Sequence, residues 1–169
     1  MNNKLNLLVR ENKGRLMFDE VRSTLEALIA HPIMECASLP KTDDIVELHK
    51  TAYRKATLSK PETLRLVISA QDSAKVDAFL HCFEESFKGE IVYYTPKQSE
   101  YVGALMIALS PALSAFRGLL KFDGDSLQLT SQNEKNGLFL DWNRDDMAAQ
   151  FELVVWGESW VAGARRCFG

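Results

Sequence analysis

Two hydrophobic rhythms alternate along the chain. Apolar side chains fall at Phe18, Val21, Leu25, Leu28 and Ile29, with Asp19, Glu20, Arg22 and Glu26 between them. That spacing predicts an amphipathic helix ending before Pro32. The stretch Ile33–Lys41, which follows Pro32 and holds Pro40, reads as a connection. Thr42 then reads as an N-cap with Asp43 and Asp44 in the first turn, ahead of a second helix striped by Ile45, Leu48, Ala52 and Ala56. After Pro61 the rhythm shortens. Leu64, Leu66 and Ile68 alternate with Arg65, Val67 and Ser69, a strand pattern.

Asp72 or Ser73 is placed to cap a further helix, whose wide apolar face is Val76, Phe79, Leu80, Phe83 and Phe87 and which Gly89 stops. Ile91–Tyr94 reads as another strand, so this region predicts a βαβ unit with a right-handed crossover. Tyr101–Leu109 is almost wholly apolar and reads as a helix, interrupted at Ser110-Pro111 and resumed to Leu120. Three short strands follow. Leu127 and Leu129 share one face of the first, Leu138, Leu140 and Trp142 one face of the second, and Phe151, Leu153 and Val155 one face of the third. Asn136-Gly137 is a turn signal, and the polar run Asn143–Asp146 joins the last two strands. Short links imply antiparallel pairing.

These elements predict one α+β domain over residues 1–169. Helices pack on one face of a mixed, largely antiparallel sheet. A helix-rich part with the βαβ unit spans 1–120, and an acidic three-stranded meander lies in 121–169. With 169 residues, a core can form without a disulfide or a metal. The cysteines, Cys36, Cys82 and Cys167, are odd in number and lack CxxC spacing, so no disulfide scaffold and a reducing compartment are expected. Met1–Arg10 shows neither a long apolar core nor a small-residue cleavage site, and Val102–Leu109 is too short to span a bilayer. The expected location is the cytoplasm, with no membrane contact.

Charge sharpens the picture. Lys121–Trp160 holds eight acidic residues against three basic ones, within a chain of net charge −3. Such a balance argues against direct nucleic-acid binding, which needs cations to neutralise phosphates. His31, His49 and His81 lie in separate elements without metal-ligand spacing, and no phosphate-binding or nucleophile-elbow motif occurs. No cofactor and no metal are expected. Asp123-Gly124-Asp125 resembles part of a calcium loop, but Leu127 and Leu129 stand where ligands would be, so a turn into a strand is the simpler reading. An enzyme alternative remains, a metal-dependent hydrolase built on Asp123, Asp125 and Asp141. Another is a structural or adaptor subunit associating through apolar helices near Ala104–Leu120.

The alternation points Trp156 away from Val155, onto the face of Glu152 and Val154. Two readings follow: an aromatic anchor at a protein interface, or a second buried layer under the helices. The surrounding acidity favours the anchor, because carboxylates around an aromatic residue suit a basic partner.

The segments Phe122–Leu129, Asn136–Asp141 and Phe151–Gly157 resemble small immunity proteins of bacterial contact-dependent inhibition systems, in a style of strand, turn and acidic strand ending on an aromatic-glycine pair. The resemblance implies a cytoplasmic α+β protein without catalysis that binds and blocks one cognate toxin domain, often a nuclease. A nuclease needs a basic cleft, which carboxylates can fill in place of phosphates. The contacting set expected on this basis is Asp141, Asp145, Asp146, Glu152 and Trp156.

Overall fold

In the computed structural model, residues 3–58, 60–143 and 149–168 are described. The order is α1 (Asn3–Ile29), β1 (Glu35–Cys36), α2 (Leu39–Thr57), β2 (Thr63–Ser69), a 3-10 turn (Ala70–Asp72), α3 (Ser73–Ser86), β3 (Ile91–Tyr94), α4 (Ser99–Val102), β4 (Leu105–Ala108), α5 (Leu109–Ser114), α6 (Phe116–Asp123), β5 (Ser126–Ser131), β6 (Gly137–Asn143), β7 (Gln150–Trp156) and α7 (Glu158–Phe168). The strands form one seven-stranded sheet in the order β1-β4-β3-β5-β6-β7-β2, and its neighbours pair antiparallel. The fold is α+β, with β5-β6-β7 as the C-terminal meander. Strands β2 and β3 run the same way on either side of α3, but the meander lies between them in the sheet.

Period-two alternation explains the main core. Leu105, Tyr94, Leu129, Leu138, Val155 and Leu64 are successive cross-strand partners across the sheet, and Leu127, Leu140, Leu153 and Leu66 make a second row. These rows lie in the hydrophobic core with Val21, Leu25 and Ile29 of α1, Phe79 and Phe83 of α3, Leu109 and Leu113 of α5, Leu119 of α6 and Trp160 of α7. Helix α2 lies against the other face of the sheet. There His49 meets Thr130 and Trp156, and Tyr53 meets Phe139.

Several local expectations change. The apolar run after Tyr101 is not one helix: α4 ends at Gly103, whose φ of +82° breaks it, and Leu105–Ala108 becomes strand β4 between β1 and β3. A strand covered on both faces is apolar throughout, so periodicity cannot separate it from a buried helix. The apolar residues of Ala104–Leu120 are spent inside the core, which removes the exposed face an adaptor role required. Thr42 does not cap α2. Ser38 does, accepting a hydrogen bond from Lys41 N, while Thr42 Oγ1 accepts one from Ala104 N at 2.8 Å and ties α2 to β4. Helix α7 occupies the end of the chain, where strands were expected. Finally, Cys82 and Cys167 form a disulfide across 85 residues, leaving Cys36 free, contrary to the expectation of three thiols. Neither spacing nor motif marks that pair; α3 and α7 bring it together.

Candidate functional site

The site is built on the sheet face that α2 crosses. One stripe of α2, with Ile45, His49, Ala52 and Ala56 buried at helical spacing, is laid against the sheet. The helix covers the row Thr130–Gly137–Trp156–Thr63 and leaves the row Ser126–Asp141–Glu152–Val67 open at the side. Val67 remains 51% exposed there.

Asp141 and Glu152 are direct cross-strand partners in this open row. Like charges opposed in this way destabilise a sheet. Glu152 is compensated: Arg65 Nε donates to it at 2.5 Å and Tyr53 OH at 3.3 Å. Asp141 is not, for among the described residues none donates a hydrogen bond to its carboxylate. Partial burial, then Glu152 and Asp125, push its pKa above the ordinary aspartate value. Tyr53 and Phe139 stand beside the pair, their rings edge-to-face with centroids 5.9 Å apart. The result, among the described residues, is a half-buried patch in which Asp141 and Glu152 stand near the Arg65 guanidinium, with two aromatic rings at its border.

Of the residues expected from sequence, Asp141 and Glu152 are brought together. Trp156 shares their face, as the alternation required, but it does not point outward. It is only 8% exposed, lies edge-on to His49 at 5.8 Å and covers Gly137, where any β-carbon would collide with the indole. The buried-layer alternative is the one observed, because α2 covers that row. Asp145 and Asp146 lie outside the described residues. Sequence reasoning missed Arg65, Tyr53 and Phe139. The β2–β7 register brings Arg65 beside this patch, and no motif announces it.

The Asp123, Asp125 and Asp141 set is not gathered into one centre, and no group of three His, Cys, Asp or Glu side chains among the described residues is placed to hold a metal ion. Asp123 points into the core instead. It is 4% exposed, accepts a hydrogen bond from Tyr94 OH and another from Lys97 N at 3.1 Å, and burial raises its pKa to about 6. Burial also raises the Tyr94 phenol far above its usual value. No helix among the described residues is long and apolar enough to cross a membrane.

Two buried titrating groups pull stability in opposite directions. His49 is 7% exposed, its Nε2 is 2.7 Å from Thr130 Oγ1, and burial lowers its pKa to about 4. As pH falls from its unfolded value near 6.5 towards 4, the unfolded chain gains a proton that the folded imidazole refuses, so stability is lost. Asp123 acts oppositely. Its folded pKa exceeds the unfolded value, so its contribution is greatest in acid and disappears as pH rises through about 6. Each amounts to roughly 3 kcal/mol at 1.4 kcal/mol per pKa unit. Relative to the wild type, His49→Gln is expected to gain stability between pH 6.5 and 4.5 and Asp123→Asn to lose it. Urea unfolding at the two pH values checks this; parallel pH dependence in both variants would refute the assignment.

Comparison with known proteins gives no matching family model, no matching curated protein and no matching solved structure.

Proposed function

We propose that this chain is a non-catalytic immunity protein that binds and neutralises a cognate toxin domain with a basic surface, the toxin being of the nuclease class that the sequence resemblance implies. The observation that supports this reading most is the opposed Asp141–Glu152 pair. A surplus of negative charge is kept half-buried on a sheet face, where it opposes folding of the free chain. A lysine or arginine from a partner would neutralise Asp141, with Tyr53 and Phe139 bordering the same pocket of space as aromatic walls for the cation. Charge complementarity of this kind speeds encounter and makes it salt-sensitive, while the desolvated contact slows release. The reading places the protein in the cytoplasm, although a disulfide such as Cys82–Cys167 is characteristic of an oxidising compartment.

Asp141→Asn separates this role from a structural one. In the free protein it removes a repulsion and should raise stability, by up to about 1 kcal/mol for a cross-strand like-charge pair. It should also weaken binding to the basic domain encoded beside the gene by at least about tenfold, equivalent to roughly 1.4 kcal/mol. Calorimetric titration at low and high salt, beside urea unfolding of the free variant, measures both. Unchanged affinity, or a less stable free protein, would exclude Asp141 as the partner-seeking charge.

A further inference from the structure

Strand β2 ends the sheet and has a strand partner, β7, on one side only. The ladder fixes which of its backbone groups face outward. Ala70 N–H donates to Ala149 O and Glu62 O accepts from Gly157 N–H, both towards β7, and the direction of these groups alternates along a strand. The even positions of β2 therefore serve β7, while Arg65, Val67 and Ser69 present N–H and C=O to the open edge. All three residues are exposed, and no hydrogen bond among the described residues satisfies those outward groups. Natural sheets blunt such an edge with short strands, proline or free charges. The opposite edge obeys, for β1 has two residues. β2 has seven residues and no proline, and its one charged side chain, Arg65, is drawn onto Glu152 of β7. A groove of about 440 Å³ runs beside this edge, with Ile68, Phe79 and the 44% exposed Phe168 in its walls.

We infer that β2 pairs antiparallel with β2 of a second copy of this chain, about a two-fold axis at Val67, joining two sheets into one. The sequence of the strand argues for this occupant. A two-fold interface must be self-complementary. Centred on Val67, the pairing sets Val67 against Val67, Leu66 against Ile68 and Arg65 against Ser69. Apolar residues meet apolar residues, the guanidinium meets a hydroxyl, and like charges are nowhere opposed. Centred on Arg65, the same strand would oppose two guanidiniums. The chosen register also brings the outward-facing residues together, for about six backbone hydrogen bonds at two per pair. Val67, 51% exposed in the single chain, is covered by its mate. Leu66 and Ile68 of the second copy fall on the core side of the joined sheet, which is the side of the groove, and add apolar surface beside it. Asp141 lies on β6, two strands in from the seam, so self-association and toxin binding are tested separately.

Sedimentation equilibrium of the full chain measures the association, beside hydrogen exchange of the β2 amides. A monomer–dimer equilibrium with Kd of about 10 µM or tighter is expected. The Arg65, Val67 and Ser69 amides should exchange at least about fivefold more slowly at about 200 µM chain than at about 2 µM, because only the dimer protects them. Val67→Lys alters an exposed side chain and opposes two ammonium groups at the axis, so it should weaken association at least about fivefold. Ser69→Pro deletes an outward N–H at a φ of −57°, which proline accepts, and should weaken it likewise. Circular dichroism matching the wild type shows that each variant folds, and exchange in the wild type tests the register without any variant. A dimer whose β2 amides exchange as fast as in the monomer, or one that both variants leave intact, would overturn the inference. A chain that stays monomeric at about 200 µM would also overturn it, and would leave the edge to a strand of another protein.

Discussion

Trp160→Ala is expected to destabilise the protein by about 4 kcal/mol, a large fraction of the total stability of a domain this size. Trp160 is fully buried, although it sits in the first turn of the last helix. Its ring meets Phe83 edge-on at 5.3 Å and Phe87 at 5.8 Å, and its Nε1 donates to Glu90 Oε2 at 3.1 Å. Its backbone N–H reaches Asn136 Oδ1, which ties the start of α7 to the β5–β6 turn. Truncation therefore opens a cavity between α3 and α7 and leaves the half-buried Glu90 without its donor. Trp160→Phe keeps most of the packing and loses only the hydrogen bond, so it should cost about 1–2 kcal/mol beyond any volume effect. Urea unfolding should show a lower midpoint with unchanged slope. Equal midpoints for Trp160→Ala and the wild type would mean that α7 contributes little to the core.

The second large effect concerns the Cys82–Cys167 bond. Its closure spans 85 residues of chain. Constraining a loop of that length removes unfolded-state entropy worth about 4.5 kcal/mol at 25 °C in the chain-entropy model. The contacts around the bond persist without it, since Phe79 approaches Phe168 at 6.1 Å and the Phe87 ring lies where a β-carbon on Gly163 would be. The Cys82→Ser, Cys167→Ser double variant should thus keep the native near-ultraviolet spectrum and lose several kcal/mol of stability in oxidised buffer. Reduced wild type should match the variant in stability. A variant as stable as the oxidised wild type would show that the bond does not form in solution.

The meander was legible because each of its strands has a single core face. Leu127 and Leu129, Leu138 and Leu140, and Leu153 and Val155 alternate cleanly, and Asn136-Gly137 fixes where β6 begins. Strand β4 was hidden by the opposite circumstance: flanked by strands and buried on both faces, Leu105–Ile107 lost the alternation that identifies a strand. Strand β1 has two residues and owes its existence to pairing with β4, which no local signal encodes. For the site, alternation placed Trp156 and Glu152 on one face correctly. That α2 would cover the Trp156 row and spare the Glu152 row is a tertiary fact, set by Ile45, His49, Ala52 and Ala56 finding the sheet. Asp141 was visible as a charge. Its opposition to Glu152 needed the register of β6 against β7, and Arg65 came from β2, far earlier in the chain.

The helix that buries Trp156 also builds the patch. By covering one row with Ala52 and Ala56 and projecting Tyr53 sideways, α2 brings a phenol to Glu152 and a ring to Phe139. Burial there is enough to weaken hydration of Asp141 without supplying a donor in its place, which is how an ordinary aspartate becomes a charge in search of a cation.

The most direct measurement is a carbon-13 NMR titration of the Asp141 carboxyl in the free protein, repeated with Glu152→Gln. An uncompensated, half-buried Asp141 facing Glu152 requires a midpoint above the ordinary aspartate value and a fall when Glu152 loses its charge. A midpoint at or below the ordinary value, or one that ignores Glu152→Gln, would contradict it.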